Sequence, residues 1–320
     1  RSRSSIHVFG TIEGVTVEQL GASASTTPMA TMLEPKRSVR LEGIRSWLHW
    51  FFTNPRVLLS GGFILLLCIA AVAAPLITSG DPSLIRADQR LLPPGEGGLL
   101  GTDEFGRDLF ARIIFGARLT LIVSVFSVLI ASVLGVIMGM SAAYFGSPTD
   151  TIFMRLADAV LSFPPILLAI FVISFWGSSV INVILVIGLL YTPRFQRIAY
   201  SATLAVQEND YVLSARSIGA QPARILRTAI LPNILAPILV QFSLSMGTAI
   251  LLEAGLSFLG LGPPPDVPSW GRSIQQASRF MSQHAWGVVW PSVVISITVL
   301  AFNILGDALR DRLDPRLKSA

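Results

Sequence analysis

Six long runs of apolar residues constrain this chain more than any other feature of its sequence. Each run is close to the roughly 20 residues that an α-helix needs to cross the hydrocarbon core of a bilayer. The runs are Val57 to Ile77, Leu119 to Ala143, Ala159 to Trp176, Val180 to about Ala199, Ile234 to about Leu256 and Val288 to about Leu305. Because backbone polar groups in lipid must be satisfied within the spanning element, the runs predict an all-α polytopic membrane protein with six transmembrane helices.

Composition supports a membrane protein and argues against catalysis. Of the 320 residues 52% are hydrophobic and 13% are charged, which is too apolar for an ordinary soluble domain. The single cysteine, Cys68, lies inside an apolar run, and the three histidines have no metal-ligand spacing. We therefore predict no metal and no catalytic residue. An intramembrane enzyme would need converging polar groups at helical spacing within the spans, which the sequence lacks.

The placement of charge predicts the orientation. A net charge of +5 is compatible with a nucleic-acid partner, but seventeen of the 24 basic residues fall on one side of the predicted topology. That bias is typical of the cytoplasmic side of an inner-membrane protein. We therefore predict cytoplasmic N- and C-termini, a lipid bilayer as the surroundings and no nucleic-acid partner.

The same pattern gives the predicted domain organisation. Residues 1–43 are polar and predict a mostly disordered extension, in which Met29 or Met32 is a candidate for the native start. Residues 44–56 form a cytoplasmic pre-membrane segment, residues 57–310 the six-span domain and residues 311–320 a cytoplasmic tail. Within the domain we predict an outside loop at 78–118 that ends in a surface helix, a cytoplasmic loop at 201–232 and an outside segment at 257–287.

The cytoplasmic loop contains a polar stretch with strong helix punctuation, NDYVLSARSIGAQPARILRTAILP at 209–232. Asn209 or Asp210 is suited to cap a first helix, Gly219 to end it in a left-handed turn, and Pro222 to begin a second helix. Tyr211, Ala215 and Ile218 share one face of the first helix, and this apolar face is suited to a groove on a partner.

Several stretches resemble the C-type inner-membrane permease subunit of the dipeptide, oligopeptide and nickel ABC importers. They are LGTDEFGRDLFARIIFGARLTL at 100–121, AYFGSPTDTIFMRLADAVLSFP at 143–164, LSFLGLGPPPDVPSWG at 256–271 and FNILGDALRDRLDPRL at 302–317. They occur in the order of the family and cover most of the chain from the first span onward. The resemblance implies the type I ABC importer permease fold.

The resemblance also gives the 209–232 stretch an expected role. It resembles the EAA loop, the cytoplasmic segment through which importer permeases contact their ATPases, with Ala215, Gly219, Leu231 and Pro232 on motif positions. Leu213 and Ser214 depart from the motif, which usually has glutamate and alanine there. The predicted ATPase-coupling residues are Tyr211, Ala215, Ile218, Gly219, Leu231 and Pro232.

Two further sets of residues are candidates from their predicted positions together with the partners that the resemblance implies. Glu253 lies closest to the interior of a span and is a candidate for the permease interface or the translocation pathway. The outer motifs are candidates for contacts with a binding protein; their residues are Gly101, Thr102, Asp103, Gly106, Arg107 and Trp270. For Trp270, an aromatic anchor in the headgroup region is the alternative.

The family implies a heterodimer with a second permease subunit, two ATPase subunits and an extracytoplasmic solute-binding protein in the bacterial inner membrane. The chain lacks the phosphate-binding pattern GxxxxGK[ST], so it is not expected to be an enzyme, and ATP and Mg are expected on the ATPases and not on this chain. The expected cargo is di- or oligopeptides. Nickel complexes or another small solute remain the alternative, and a stand-alone carrier or channel is a further one.

Overall fold

The computed structural model describes residues 49–78, 81–264 and 267–313. The predicted extension 1–43 with Met29 and Met32, and the end of the predicted tail from residue 314, lie outside them. The helices are α1 Pro55–Val72, α2 Ala74–Ile77, α3 Leu109–Phe145, α4 Thr149–Leu161, α5 Pro165–Trp176, α6 Val180–Gln207, α7 Asp210–Ser217, α8 Pro222–Ile225, α9 Leu231–Phe258, α10 Trp270–Ser278 and α11 Trp286–Leu313. A π-helical turn, Leu226–Ile230, joins α8 to α9, and Ala87–Gln89 form a short 3-10 helix.

Helices account for each of the six predicted spans, so the all-α membrane fold is confirmed. Among the described residues four helical stretches are long and apolar enough to cross a membrane: Pro55–Val72, Leu109–Phe145, Pro222–Phe258 and Trp286–Leu313. The bent pair α4 and α5 gives a fifth candidate. The predicted fourth span corresponds to α6, which has 28 residues and carries Arg194, Gln196 and Arg197 in its second half.

The predicted third span is not one continuous helix. The chain from Ala159 to Trp176 is divided between α4 and α5, which meet at a bend of 92°. Pro164 and Pro165 cause the break, because a proline lacks the amide hydrogen and disfavours helical geometry in the residue before it. The 12 residues of α5 rise only about 18 Å, less than the hydrocarbon core of a bilayer.

The long helix α3 begins ten residues before the predicted second span. Asp108 caps it, since the Asp108 carboxylate accepts a hydrogen bond from the Phe110 amide at 2.9 Å. The surface helix predicted at the end of the outer loop is therefore continuous with the second span. Residues 109–118 are the first turns of α3, because no helix-breaking residue separates them from the apolar run.

The closest helix packing joins α3 and α6. A Cβ at Gly135 would lie 2.6 Å from the Thr192 carbonyl oxygen, and one at Gly139 would lie 2.3 Å from the Gln196 carbonyl oxygen. Glycine at both positions lets the two backbones approach. The central core lies around this pair and the α9 helix.

Candidate functional site

The predicted functional residues fall at two opposite ends of the bundle. The 37 residues of α3 rise about 55 Å and separate these ends. At the start of α3, the Trp270 indole donates to the Ile113 carbonyl at 2.9 Å, which places α10 there. At its other end, the Arg216 guanidinium lies 4.5 Å from the centre of the Tyr144 ring, which places α7 there. We call these the α10 end and the α7 end.

The local structure of α7 follows from its sequence. Asn209 occupies the N-cap position in extended conformation, although its side-chain amide donates to the Val206 carbonyl at 3.0 Å and does not cap the helix. Gly219 has a φ of +74°, and the Ala220 amide donates back to the Ala215 carbonyl at 3.1 Å. This is the predicted left-handed termination. Pro222 begins α8, also as predicted.

One side of α7 is anchored in the protein and another is open. Val212 is fully buried, and Arg216 donates to the Gln207 side chain at 3.3 Å besides covering the Tyr144 ring. Tyr211 is 47% exposed and Ile218 is 84% exposed. A short helix that is fixed on one side and presents large apolar side chains on the other has the form of a docking element.

The remaining predicted coupling residues have different environments. Ala215 is half-buried against the core, and Gly219 is exposed with open space where a Cβ would project. Leu231 and Pro232 lie in the first turn of α9, where Leu231 packs against the core and Pro232 is exposed. The structure thus places Tyr211 and Ala215 on α7 with Ile218 at its C-cap, and Leu231 and Pro232 at the beginning of a different helix.

At the α10 end, Asp103 organises a buried ionic network. Its carboxylate accepts the Arg107 guanidinium at 2.6 Å and the Phe105 and Arg107 amides at 2.9 Å. Arg112, which is 1% exposed, lies 3.5 Å from the same carboxylate. Both arginines also point at the side-chain oxygen of Gln276 in α10, at 3.2 and 3.5 Å. The network joins the outer loop, α3 and α10.

Glycines make the tight turn around this network possible. Gly101 and Gly106 have φ values of +85° and +73°. A Cβ on Gly106 would lie 1.8 Å from the Arg86 carbonyl oxygen, so no other residue fits there. Thr102 is also buried, and its hydroxyl accepts the Leu92 amide at 2.9 Å.

Trp270 lies inside the protein. Its side chain is fully buried, and its ring lies against Gly116, where a Cβ would approach the ring to 2.9 Å. The Trp270 side chain is therefore not exposed to a headgroup region or to a partner protein. The same burial applies to the outer-loop candidates Gly101, Thr102, Asp103, Gly106 and Arg107. A binding-protein contact at this motif stays a prediction, and the side chains themselves hold the loop together.

Glu253 connects two helices of the same chain. It is fully buried in α9, and its two carboxyl oxygens accept hydrogen bonds from the Thr120 hydroxyl of α3 at 3.0 Å and from the Ser257 hydroxyl at 2.7 Å. Its partners within this chain account for both oxygens, and the side chain is not at the surface. A role in the permease interface or the pathway stays a prediction.

Sequence reasoning missed three positions that the structure makes important. Val212 anchors α7, and Arg112 and Gln276 complete the Asp103 network. Val212 carried a usable signal, because an isolated apolar residue on the side of a short helix away from its open face indicates an anchor. Gln276 carried none, since its partners are 169 and 164 residues away along the chain.

No group of three or more His, Cys, Asp or Glu side chains within the described residues is placed to hold a metal ion.

Comparison with known proteins gives a consistent result. The profile of the family described as "Binding-protein-dependent transport system inner membrane component" matches residues 131–319. A dipeptide transport system permease protein, DppC, from Alkalihalophilus pseudofirmus is 41% identical over 251 residues, which is 78% of this chain and 83% of the relative. A glutathione transport system permease protein, GsiD, from Pectobacterium atrosepticum is 39% identical over 285 residues, which is 88% of this chain and 94% of the relative.

A solved structure agrees at the level of the fold. A chain in an inward-facing structure of the MetNI methionine ABC transporter matches with a TM-score of 0.53 at 18% identity. The match covers 63% of this chain and 96% of that chain.

Proposed function

The chain belongs to the family of binding-protein-dependent transport system inner membrane components, and we propose that with a second permease it forms the path for di- and oligopeptides in a bacterial ABC importer. Relatives named as dipeptide and di/tripeptide transport permeases match this chain over most of their length, and this similarity supports a peptide cargo. One relative is named as a glutathione transport permease, so another small peptide-like solute is the second candidate for the cargo of this chain. Nickel complexes are a further family cargo and have no support among these names.

The proposed orientation places the α7 end in the cytoplasm and the α10 end outside. The α7 end carries arginines on α7, on α8 and in the last turn of α11; they are Arg216, Arg224, Arg310 and Arg312. In the sequence as a whole, seventeen of the 24 basic residues fall on the side that carries α7. Because cytoplasmic segments hold the excess of basic residues, this distribution supports cytoplasmic termini.

The proposed role of α7 is to transmit movement from an ATPase subunit. The observation that carries this proposal is the open apolar side of α7, with Tyr211 and Ile218 exposed while Val212 is buried. Because α7 is attached through Arg216 to the last turn of α3, a displacement of α7 reaches the longest helix of the bundle directly. ATP and Mg are expected on the two ATPases. Binding of ATP and release of its products then shift the permease between inward-open and outward-open states.

We expect a Tyr211→Ala and Ile218→Ala double variant to lose binding-protein-stimulated ATP hydrolysis by about ten-fold or more, because exposed aromatic and apolar anchors dominate docking energies. The measurement uses the complex of both permeases, both ATPases and the binding protein, reconstituted in nanodiscs. Ser217→Ala is the matched control, since Ser217 is also exposed but lies about 120° round the helix from Tyr211. Full stimulation in the double variant would refute the role of α7.

A further inference from the structure

A cleft at the α10 end is not explained by the ionic network beside it. The cleft has a volume of about 340 Å³ and opens between α10 and the loop that precedes α3. Its lining consists of Arg90, Glu104, Phe105, Arg272, Gln275, Gln276, Arg279 and Phe280. Three of these side chains are guanidinium groups and one is a carboxylate, so the lining carries an excess of positive charge. We call it the arginine cleft.

The basic side of the cleft is one face of α10. Arg272, Gln276 and Arg279 are spaced by four, three and seven residues, which places them on the same side of a helix. The other side of α10 carries Trp270 and Ala277, both of which are buried. The helix therefore packs through its apolar face and turns its arginine and amide face toward the cleft.

The cleft arginines have donors to spare. Arg272 donates to the Gln275 side chain at 3.4 Å and to the Pro263 carbonyl at 3.3 Å, while its Nε is buried without a partner among the described residues. Arg90 donates its Nε to the backbone carbonyl of Glu104 at 2.7 Å. Within the described chain, Arg90, Arg272 and Arg279 form no salt bridge. A guanidinium carries several N–H donors, so each has capacity for a carboxylate.

The acids nearest to the cleft are already engaged. Asp103 is held by Arg107 and Arg112, and the Glu104 carboxylate lies 3.7 Å from Arg107. Within the described residues, no carboxylate is therefore left to pair with the cleft arginines Arg90, Arg272 and Arg279, and a second molecule can supply one. The lining also has an aromatic component, because Phe105 is 40% exposed and its ring lies under Arg107. Arginine beside an exposed aromatic ring is the composition found at the centre of protein interfaces.

We propose that the arginine cleft receives acidic side chains of the extracytoplasmic binding protein and so positions it over the permease. This inference rests on the proposed function, because it needs a binding protein and an outward-facing α10 end. The Arg272 and Arg279 guanidinium groups pair with carboxylates of the docked lobe, and the positive cleft also accelerates its approach. The docking contact then lies on the open face of α10, next to the buried side chains of Asp103 and Arg107.

The test uses the complete reconstituted complex and titrates peptide-loaded binding protein. In an Arg272→Gln and Arg279→Gln double variant, we expect the binding-protein concentration for half-maximal stimulation of ATP hydrolysis to rise about ten-fold. The rate at saturation and the basal rate stay unchanged, and the dependence of the half-maximal concentration on salt becomes shallower. Arg279→Glu alone, at an exposed position whose side chain makes no hydrogen bond or salt bridge within the described residues, should give the same direction of change.

Arg86→Gln is the matched control, because Arg86 is exposed on the same outer loop but does not line the cleft. Its half-maximal concentration should stay within about two-fold of the wild type. Unchanged half-maximal concentration and salt dependence in the double variant, with a wild type that is stimulated normally, would overturn this inference alone.

Direct binding of free peptide separates a substrate site from a docking site. If the wild-type complex binds free peptide with a free C-terminal carboxylate but not its amide, and the double variant loses this binding, the cleft takes substrate and the inference is overturned. A wild type that no binding protein stimulates would overturn the proposed function and the inference with it.

Discussion

At the scale of single residues, Asp103 holds the α10 end together. Its carboxylate is the shared partner of Arg107 and Arg112, and all three side chains are buried. A buried ion pair adds little net stability as a whole, but removing one member leaves the others charged and unpaired. The consequence of a substitution here is therefore large.

We predict that Asp103→Ala lowers the free energy of unfolding by about 3–5 kcal/mol, because two buried guanidinium groups lose their carboxylate. Thermal unfolding of the purified chain in detergent measures the loss. Asp88→Ala is the control, since Asp88 is exposed on the same loop and its removal should cost less than about 0.5 kcal/mol. Equal stability of the two variants would contradict the assignment.

His284 gives the same end of the molecule a dependence on pH. Burial lowers the pKa of His284 from its ordinary value of 6.5, with a smaller opposing effect of Asp103. Its Nε2 atom is buried without a partner in the described part of the chain. The folded state thus favours the neutral imidazole, so this contribution to stability is complete above about pH 6.5 and is lost as the pH falls through that value toward the folded-state pKa.

We predict that between about pH 7.5 and 5.5 the melting temperature of the wild type falls more than that of His284→Gln, because the glutamine has no proton to bind. Comparing the two proteins cancels the effect of Glu104, whose pKa burial raises. Parallel pH profiles of the two proteins would show that His284 does not control this behaviour.

At the scale of elements, the contact between α3 and α6 depends on small residues. The Gln196 carbonyl lies where a side chain on Gly139 would project, and Gly135 faces the backbone of Thr192 in the same way. Lipid tails are as apolar as the helix surfaces, so burying those surfaces between helices gains little free energy. Close packing of the backbones is therefore what holds such helices together.

We predict that Gly139→Ala costs about 1–3 kcal/mol, because its Cβ would approach the Gln196 carbonyl oxygen to 2.3 Å and force α3 and α6 apart. Gly62→Ala in α1 is the control, since nothing lies within 4 Å of a Cβ there. Thermal unfolding in detergent distinguishes them. A tolerated alanine at position 139 would mean that the two helices can separate without loss.

At the scale of the whole molecule, the central question is which end faces the cytoplasm. The α7 end and the α10 end are about 55 Å apart, more than the full thickness of a bilayer with its headgroups. Ser217 and Ser278 are exposed residues close to these two ends. They are suitable reporters of orientation.

We predict that, in a Cys68→Ser background, Ser278→Cys reacts with a membrane-impermeant maleimide in intact spheroplasts, whereas Ser217→Cys reacts only after the membrane is opened. The physical reason is that seventeen of the 24 basic residues of the sequence fall on the side that carries α7, and such an excess keeps a segment in the cytoplasm. The extent of labelling on gels measures the result. Labelling of both cysteines in intact spheroplasts would exclude the proposed topology.

Much of this fold could be predicted because its determinants are local along the chain. The apolar runs identify the helices, Gly219 and Pro222 mark the ends of α7 and α8, and the paired prolines at 164 and 165 mark the break. What could not be predicted is where a polar side chain points. Trp270 and Asp103 look like surface residues in a polar loop, yet tertiary contacts bury both.

The sequence by itself determined the membrane class, the position of the helices and the identity of α7 as a separate amphipathic element, because hydropathy and helix punctuation act between neighbouring residues. Only the tertiary structure decided that Glu253 joins α3 to α9, that the outer motif is an internal ionic network, and that the arginine face of α10 is the open one. The Glu253 contact, the link from the network to Gln276 and the cleft depend on residues more than a hundred positions apart, whose proximity is set by helix packing and leaves no trace in any local pattern.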